Sequence, residues 1–173
     1  MAPESPKTQI FTAGEVPPAI RRFIKSSEGG EYMAGTYEHV VDGKGRLTLP
    51  AKLREQLGAT VHITNSSDGK CLYAFSDAEW ENFCRNLLDT DFETATLLER
   101  YFMANACDCE IDGQGRILIP QNLRAKMNIS KNVTILALSK RLEFWDTDSW
   151  REFNEQIDPV DIRSMLKSAN IRV

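Results

Sequence analysis

A thirteen-residue stretch that is rich in anion-binding groups occurs twice in this sequence. Residues 42–54 read DGKGRLTLPAKLR and residues 112–124 read DGQGRILIPQNLR, so that 7 of the 13 aligned pairs are identical. Each copy combines a glycine turn with an arginine four residues after an aspartate. Arginine offers a planar fork of donors suited to guanine edges or phosphates, and lysine offers a point charge suited to phosphate. These residue types favour recognition of a nucleic acid.

The aspartates and glycines of both copies are expected to shape the turns. A carboxylate at the start of a turn can accept hydrogen bonds from the turn's own amides and hold it rigid. Glycine supplies the positive backbone angles that a tight reversal needs. The predicted turn-organising residues are Asp42, Gly45, Asp112 and Gly115. A second interpretation stays open, in which each aspartate–arginine pair only stabilises its turn.

Charge is unevenly distributed along the chain. The formal net charge of −4 and the pI of about 5.3 argue against a polyanionic partner. Residues 42–54, however, hold four basic residues and one acidic residue, and residues 112–126 hold three and one. Residues 76–104 between them hold seven acidic residues and two basic ones. Because local fields attract polyanions to a surface, the two repeats remain candidates for such a surface.

Apolar spacing and turn signals indicate that each repeat is a small unit of strands and one helix. In the first unit strand, turn, strand, helix, strand, turn and strand are predicted at residues 36–41, 42–45, 46–49, 50–57, 61–64, 65–70 and 71–75. The second unit, from residue 106 to about residue 145, follows at an offset of 70. Capping-box patterns at Ser76 with Glu79 and at Thr90 with Glu93 predict two helices between the units.

Two further helices are predicted after the second unit, one from about residue 148 and one from Asp158-Pro159. Aromatic residues recur in the helices at the same offset and at helical spacing, and we interpret them as core anchors rather than as a platform for stacked bases. They are Trp80, Phe83, Trp150 and Phe153.

These elements divide the chain into predicted parts: a mobile N-terminal extension (1–32), a first unit (36–79), a helical connection (80–104), a second unit (105–148) and C-terminal helices (149–173). A unit of about forty-five residues with four short strands is too small to bury an adequate core alone. The predicted fold class is therefore α+β, with two pseudo-twofold-related β units that share one core.

Composition excludes several classes of protein. The 173 residues are 42% hydrophobic and 27% charged, which is ordinary for a globular chain. No apolar run approaches the length of a membrane helix, and residues 1–30 lack the apolar core of a signal peptide, so a cytoplasmic protein is expected. Cys107 and Cys109 would share one face of a strand and could suggest a metal. Without a second cysteine pair or a suitably spaced histidine, a buried structural role is favoured, and neither metal nor cofactor is predicted.

From Met33 to Ile157 the sequence resembles the MraZ family, which is built from two SpoVT-AbrB-type units. The resemblance is carried by the segment Gly35-Thr36-Tyr37-Glu38-His39, by both Asp-x-x-Gly-Arg turns with the prolines that follow them, and by the two Trp-x-x-Phe helices. It implies swapped-hairpin or double-psi-like β units that share one barrel core and carry flanking helices. The sequence departs from the family in its 32-residue N-terminal extension and in Gln114, which stands where the first unit has lysine.

The resemblance implies a cytoplasmic, nucleoid-associated transcriptional regulator and not an enzyme. Its implied partners are double-stranded DNA, at repeated promoter elements upstream of its own division and cell-wall operon, and further copies of itself in a closed ring. Neither a membrane nor a small-molecule substrate is implied. The DNA-binding residues are then Arg46, Lys44, Arg116 and Lys52, with the second turn weaker because of Gln114. Arg54 and Arg124 are expected to pair with acids inside the assembly.

Two other functions fit parts of the pattern. Duplicated Asp-Gly turns are reminiscent of the carboxylate pair of an aspartic protease, but the arginine after each aspartate favours two ionised groups, and the usual Asp-Ser/Thr-Gly setting is absent. The alternative of a pure interaction protein, such as an antitoxin-like dimer or a ring scaffold, stays open. DNA binding through cationic turns should weaken steeply with salt, whereas an apolar protein interface should not.

Overall fold

The two repeats are joined through their strands. The computed structural model describes residues 33–171, and the prediction of a mobile extension over residues 1–32 lies outside the described residues. The strands are β1 (Gly35–Val40), β2 (Arg46–Thr48), β3 (Thr60–Asn65), β4 (Leu72–Phe75), β5 (Cys107–Glu110), β6 (Arg116–Leu118), β7 (Asn132–Leu138) and β8 (Arg141–Asp146). The helices are α1 (Ala51–Leu57), α2 (Asp77–Leu88), α3 (Phe92–Phe102), α4 (Gln121–Lys126), α5 (Thr147–Glu155) and α6 (Pro159–Ser168), with a 3-10 turn at Met103–Asn105.

Six strands form an antiparallel sheet in the order β1-β7-β8-β4-β3-β5, and β2 and β6 form a separate two-stranded ribbon. The repeats exchange strands within the sheet. β1 of the first repeat pairs with β7 of the second, and β5 of the second repeat pairs with β3 of the first. Each repeat therefore completes the sheet of the other, and the predicted α+β class is confirmed.

The strand registers are symmetrical about an axis that relates the two repeats. At the centre of the sheet Tyr73 pairs with Glu143, the residue 70 positions later, and the flanking pairs are related by the same offset. In the ribbon Leu47 pairs with Ile117, which is again its equivalent. The repeat offset of 70 is thus the symmetry of these two strand pairs. Strands β3 and β7 correspond instead at an offset of 72, because Val61 pairs with Cys109 as Val133 pairs with His39.

One hydrophobic core contains residues of both repeats, as predicted. Matched positions of β2, β6 and the helices after them supply side chains that are at most 2% exposed: Leu47, Leu49, Leu53, Ile117, Ile119 and Leu123. Because the turns precede β2 and β6 directly, this core fixes where the turns lie.

Helices α2 and α5 pack on the sheet through aromatic side chains. Trp80 and Phe83 lie 5.9 and 4.9 Å from Phe75 between ring centroids. The equivalent pair in α5 lies 5.4 and 5.2 Å from Trp145. The predicted anchors are therefore half-buried in layers beside the main core rather than within it.

The helices between the repeats begin close to the predicted caps, with one correction. The Ser76 hydroxyl accepts a hydrogen bond from the Glu79 amide at 3.4 Å, as the capping box predicts. The predicted cap at Thr90 is wrong. Asp91 takes that position, because its carboxylate accepts a hydrogen bond from the Thr94 amide at 3.0 Å and α3 begins one residue later.

Helices α3 and α6 follow equivalent parts of the repeats but differ in burial. Phe102 of α3 is 5% exposed, whereas Val160, Ile162 and Met165 of α6 are 59%, 43% and 64% exposed. Helix α6 thus carries an apolar face that the described chain leaves largely uncovered. Among residues 33–171 no helix has the length and apolar character needed to cross a membrane.

Candidate nucleic-acid interface

The first turn, residues 42–45, is held by the carboxylate at its start. Asp42 Oδ1 accepts hydrogen bonds from the amides of Lys44 and Arg46 at 2.9 and 3.0 Å, and Oδ2 accepts one from Arg46 Nε at 2.7 Å. The Gly45 amide donates to the Asp42 carbonyl at 2.9 Å, and Gly45 has a φ of +84°. Both the backbone and the side chain of Arg46 are thereby aligned by the turn.

The second turn, residues 112–115, repeats this geometry and holds its arginine more completely. Asp112 Oδ1 accepts hydrogen bonds from the amides of Gln114 and Arg116, both at 2.9 Å. Oδ2 accepts bonds from Nε and Nη2 of Arg116 at 2.9 and 2.7 Å. The Arg116 side chain is 24% exposed and that of Arg46 is 32% exposed. Arg46 donates only through Nε within the described residues, so it retains more donors for an external acceptor.

These hydrogen bonds stabilise the ionised form of both aspartates. The Arg46 amide, and after it the Arg46 guanidinium, lowers the pKa of Asp42 from 3.8 to about 2. The Arg116 guanidinium, and after it the Arg116 amide, lowers the pKa of Asp112 to about 2. Two carboxylates ionised at neutral pH do not share the proton that an aspartic-protease dyad requires.

The β2–β6 ribbon presents both turn arginines on one exposed face. Its central residues, Leu47 and Ile117, are buried in the core. Because side chains alternate along a strand, Arg46 and Arg116 project from the opposite face. Arg46 lies opposite Leu118, which is two residues beyond Arg116. The two arginines are therefore diagonal neighbours, whose Cα atoms are about 7–8 Å apart. The 56% exposure of Leu118 shows that this face is open to solvent.

An arginine of the second repeat supports the first turn. A Cβ atom at Gly45 would lie 2.8 Å from Arg124 Nη2, so the guanidinium occupies the space beside the glycine. Arg124 Nε donates to the Ile119 carbonyl at 3.1 Å, and the Ile119 amide donates to the Gly45 carbonyl at 3.1 Å. Helix α4 is thus connected to a turn 79 residues earlier in the chain.

Arg54 holds the equivalent position beneath the second turn. A Cβ atom at Gly115 would lie 2.5 Å from Arg54 Nη1, and the buried Arg54 Nε has no hydrogen-bond partner within the described residues. Neither Arg54 nor Arg124 forms a salt bridge within residues 33–171, and their pairing with acids inside an assembly stays a prediction. Sequence reasoning missed this support, although both arginines are identical at the repeat offset and follow the turn arginine by eight residues.

The remaining predicted cations are exposed. Lys44 lies at the tip of the first turn, and Gln114 takes its place on the second. Lys52 lies in the first turn of α1, where the equivalent residue of α4 is the uncharged Asn122. The first repeat therefore presents more positive charge than the second on otherwise similar geometry.

Two successive segments of the chain, residues 32–99 and 102–167, match the family model described as "MraZ protein, putative antitoxin-like". The chain belongs to the MraZ family. The two matches divide the chain as the repeats do, one for each Asp-x-x-Gly-Arg turn, and the family resemblance in the sequence is confirmed.

Individual members of the MraZ family align with most of this chain. It is 42% identical over 128 residues to a protein of Thermoanaerobacter sp. named Transcriptional regulator MraZ, with 73% of this chain and 89% of that protein covered. It is 45% identical over 122 residues to the protein of the same name from Caldicellulosiruptor saccharolyticus, with 69% and 84% covered. For Caldicellulosiruptor bescii the identity is 46% over 121 residues, with 68% and 83% covered.

Proposed function

We propose that this chain is a regulator of transcription that binds double-stranded promoter DNA with the β2–β6 ribbon and its two turns. The observation that carries the proposal is the pair of aspartate-aligned arginines, Arg46 and Arg116, on one exposed face of an antiparallel ribbon. The major groove of B-DNA, about 12 Å wide, admits such a ribbon. The relatives are named for regulation of transcription and not for catalysis.

In this proposal the first turn makes the stronger contacts. The terminal nitrogens of Arg46 point a fork of donors at a guanine edge or a phosphate, and Lys44 contacts phosphate. Because Asp42 already orders the arginine, little side-chain entropy is lost on binding. Arg116 shares two nitrogens with Asp112 and contributes less, and Lys52 adds a phosphate contact from α1.

The DNA sites, the repression and the ring in this proposal follow from the family resemblance. The DNA sites are short repeated elements upstream of the chain's own division and cell-wall operon, and occupancy of these sites on the nucleoid represses transcription. A single ribbon binds DNA weakly, so several copies in a ring are needed. Once one ribbon is bound, binding by the other copies becomes intramolecular, which raises the overall affinity. The exposed apolar face of α6 supports self-association. The exchange of β1 and β5 between the repeats supports swapped-hairpin SpoVT-AbrB units.

The principal test uses Arg46→Ala with DNA from upstream of the chain's own gene. Loss of a bidentate arginine contact costs about 1–3 kcal/mol for each subunit that engages DNA, so at least about fivefold weaker specific binding is expected. Arg46→Lys keeps the charge and removes the fork, and it should lose discrimination against a scrambled DNA while retaining non-specific affinity. Arg151→Ala is the matched control, because Arg151 forms an exposed ion pair with Asp148 on α5, a helix that packs on β7 and β8.

Light scattering must show that Arg46→Ala keeps the assembly state of the wild type. Intact assembly with unchanged affinity for DNA would reduce Arg46 to a turn-stabilising residue and refute the proposal.

In the second turn Arg116→Ala should weaken DNA binding less than Arg46→Ala does, and Gln114→Lys should raise affinity for DNA. A larger loss for Arg116→Ala would reverse the assigned order of the two turns.

The dependence of affinity on salt separates this function from that of a pure interaction protein. Each phosphate neutralised adds about 0.9 to the negative slope of log affinity against log salt. We expect a slope of several units for the wild type and a shallower one for Lys44→Ala. A flat salt dependence, with retention of a protein partner, would favour the interaction protein instead.

A further inference from the structure

Strand β5 carries two thiols that the proposed function does not use. The Sγ atoms of Cys107 and Cys109 are 3.2 Å apart on one face of the strand. Cys109 is buried and donates to the Leu118 carbonyl at 3.2 Å, whereas Cys107 is only half-buried. The other two thiols lie outside this strand: Cys71 directly precedes β4, and Cys84 lies in α2.

We propose that Cys107 and Cys109 form a reversible redox site, in which a low-molecular-weight disulfide oxidises the two thiols to an intrastrand disulfide bond. The proposal concerns the thiols alone and does not depend on DNA binding.

The position of the pair in the sheet allows such a bond and makes it reversible. Alternate residues of a strand have Cα atoms about 6.4–6.8 Å apart, which is the long end of the range found in disulfides. Closing the contact of 3.2 Å to a bond of about 2.05 Å therefore requires β5 to pucker. Because β5 lies at the edge of the sheet and, within residues 33–171, pairs in it only with β3, few hydrogen bonds resist this change. The resulting strain makes the bond easier to reduce than a structural disulfide.

The difference in burial sets the order of the reaction. Burial raises the pKa of the Cys109 thiol, and its contact with Cys107 raises it further. The half-buried Cys107 is the more accessible of the two sulfurs, so its thiolate attacks one sulfur of the external disulfide and releases one thiol. Cys109 then gives up its proton and attacks the Cys107 sulfur, which releases the second thiol. Two protein thiols are oxidised as one external disulfide is reduced to two thiols.

A metal site would explain the pair less well. A structural zinc takes four ligands. Within residues 33–171 no cluster of three or more histidine, cysteine or acidic side chains could hold a metal ion. A disulfide bond between the two sulfurs therefore explains their contact better than a metal site does.

The test treats the reduced full-length protein with oxidised glutathione without oxygen, followed by digestion with trypsin and mass spectrometry. Cleavage after Arg100 and Arg116 places both reactive thiols on the peptide 101–116. Cys71 and Cys84 share the peptide 71–85, which is a built-in control. We expect the first peptide to lose two hydrogen atoms and the second to keep both thiols. The free thiols should fall from four to two and return to four with dithiothreitol.

Two variants separate the roles of the thiols. Cys109→Ser should retain glutathione on Cys107, because no second thiol displaces it. Cys107→Ser should leave Cys109 unmodified. The proposal is overturned if wild-type protein retains glutathione as fully as Cys109→Ser does, if the peptide 101–116 keeps both thiols, or if its disulfides link two chains.

Discussion

Substitution of Gly45 by alanine tests whether the second repeat supports the first turn. An alanine there meets two obstacles, a φ of +84° and the guanidinium of Arg124, whose Nη2 would lie 2.8 Å from the new Cβ. Two other glycines serve as controls, because one has only the positive φ and the other has neither obstacle. Gly69 has a φ of +68° with its nearest neighbour at an ordinary 3.8 Å, and Gly43, without a positive φ, has nothing within 4 Å.

The expected losses of unfolding free energy follow from these contacts. Gly43→Ala should change stability by no more than about 0.5 kcal/mol, as do most surface substitutions. Gly69→Ala should cost about 1–2 kcal/mol, which is the penalty of left-handed backbone for an L-residue. Gly45→Ala adds displacement of Arg124 and the loss of its hydrogen bond to the Ile119 carbonyl, about 0.5–1.5 kcal/mol. The total is about 1.5–3.5 kcal/mol.

Urea unfolding at one fixed protein concentration measures these differences, because a fixed concentration holds any contribution from association constant. A double-mutant cycle with Arg124→Ala isolates the contact. Without the guanidinium, the cost of Gly45→Ala should fall to that of Gly69→Ala. Strict additivity of the two substitutions, or equal costs for Gly45→Ala and Gly69→Ala in the wild-type background, would refute the assignment of Arg124 to the turn.

Two further predictions concern the carboxylates and the repeats. NMR titration should give pKa values of about 2 for Asp42 and Asp112, so their stabilisation is present above pH 3.8 and is lost as the pH falls towards 2. Arg116→Ala should raise the pKa of Asp112 more than Arg46→Ala raises that of Asp42, because a guanidinium is the main cause only at Asp112; equal rises would contradict this. Residues 33–90 expressed alone should not fold as a monomer, because β1 and β4 lose the partners β7 and β8, and a cooperative unfolding transition of a monomeric fragment would disprove the shared core.

The parts of the structure that depend on nearby residues could be predicted from the sequence. Asp42 and Arg46 are four residues apart, and the chemistry of a carboxylate beside free amides is sufficient to predict their turn. Ser76 caps α2 for the same reason. The error at Thr90 is also local, since Asp91 competes for the same amides one residue later and its carboxylate is a good acceptor.

Contacts between distant residues could not be predicted in this way. The residue pattern of a strand does not identify its partner, so the sequence does not say that β1 pairs with β7 or that β5 pairs with β3. The residues next to His62 in the sequence do not identify its partners. Its ring nitrogens lie 2.7 Å from the carboxylates of Asp77 and Asp108, and its ring stacks on Trp80. Those partners are 15 and 46 residues away, and only the fold brings them together.

The comparison between the two repeats separates residues that hold the turns from residues that would contact DNA. The positions that support the geometry, such as Gly45 beside Arg124, are identical in the other repeat, where Gly115 lies beside Arg54. The two lysines of the first repeat that the second repeat replaces with uncharged residues, Lys44 and Lys52, are exposed.

Each turn rests on an arginine of the other repeat, so loss of geometry in one repeat would disturb the turn of its partner. Loss of a cation at an exposed tip would not. The second repeat could therefore give up positive charge without harm to the first turn. If the ribbon binds DNA as proposed, the second repeat serves chiefly to hold the first turn in place, which is the physical reason to expect Arg46→Ala to impair DNA binding more than Arg116→Ala.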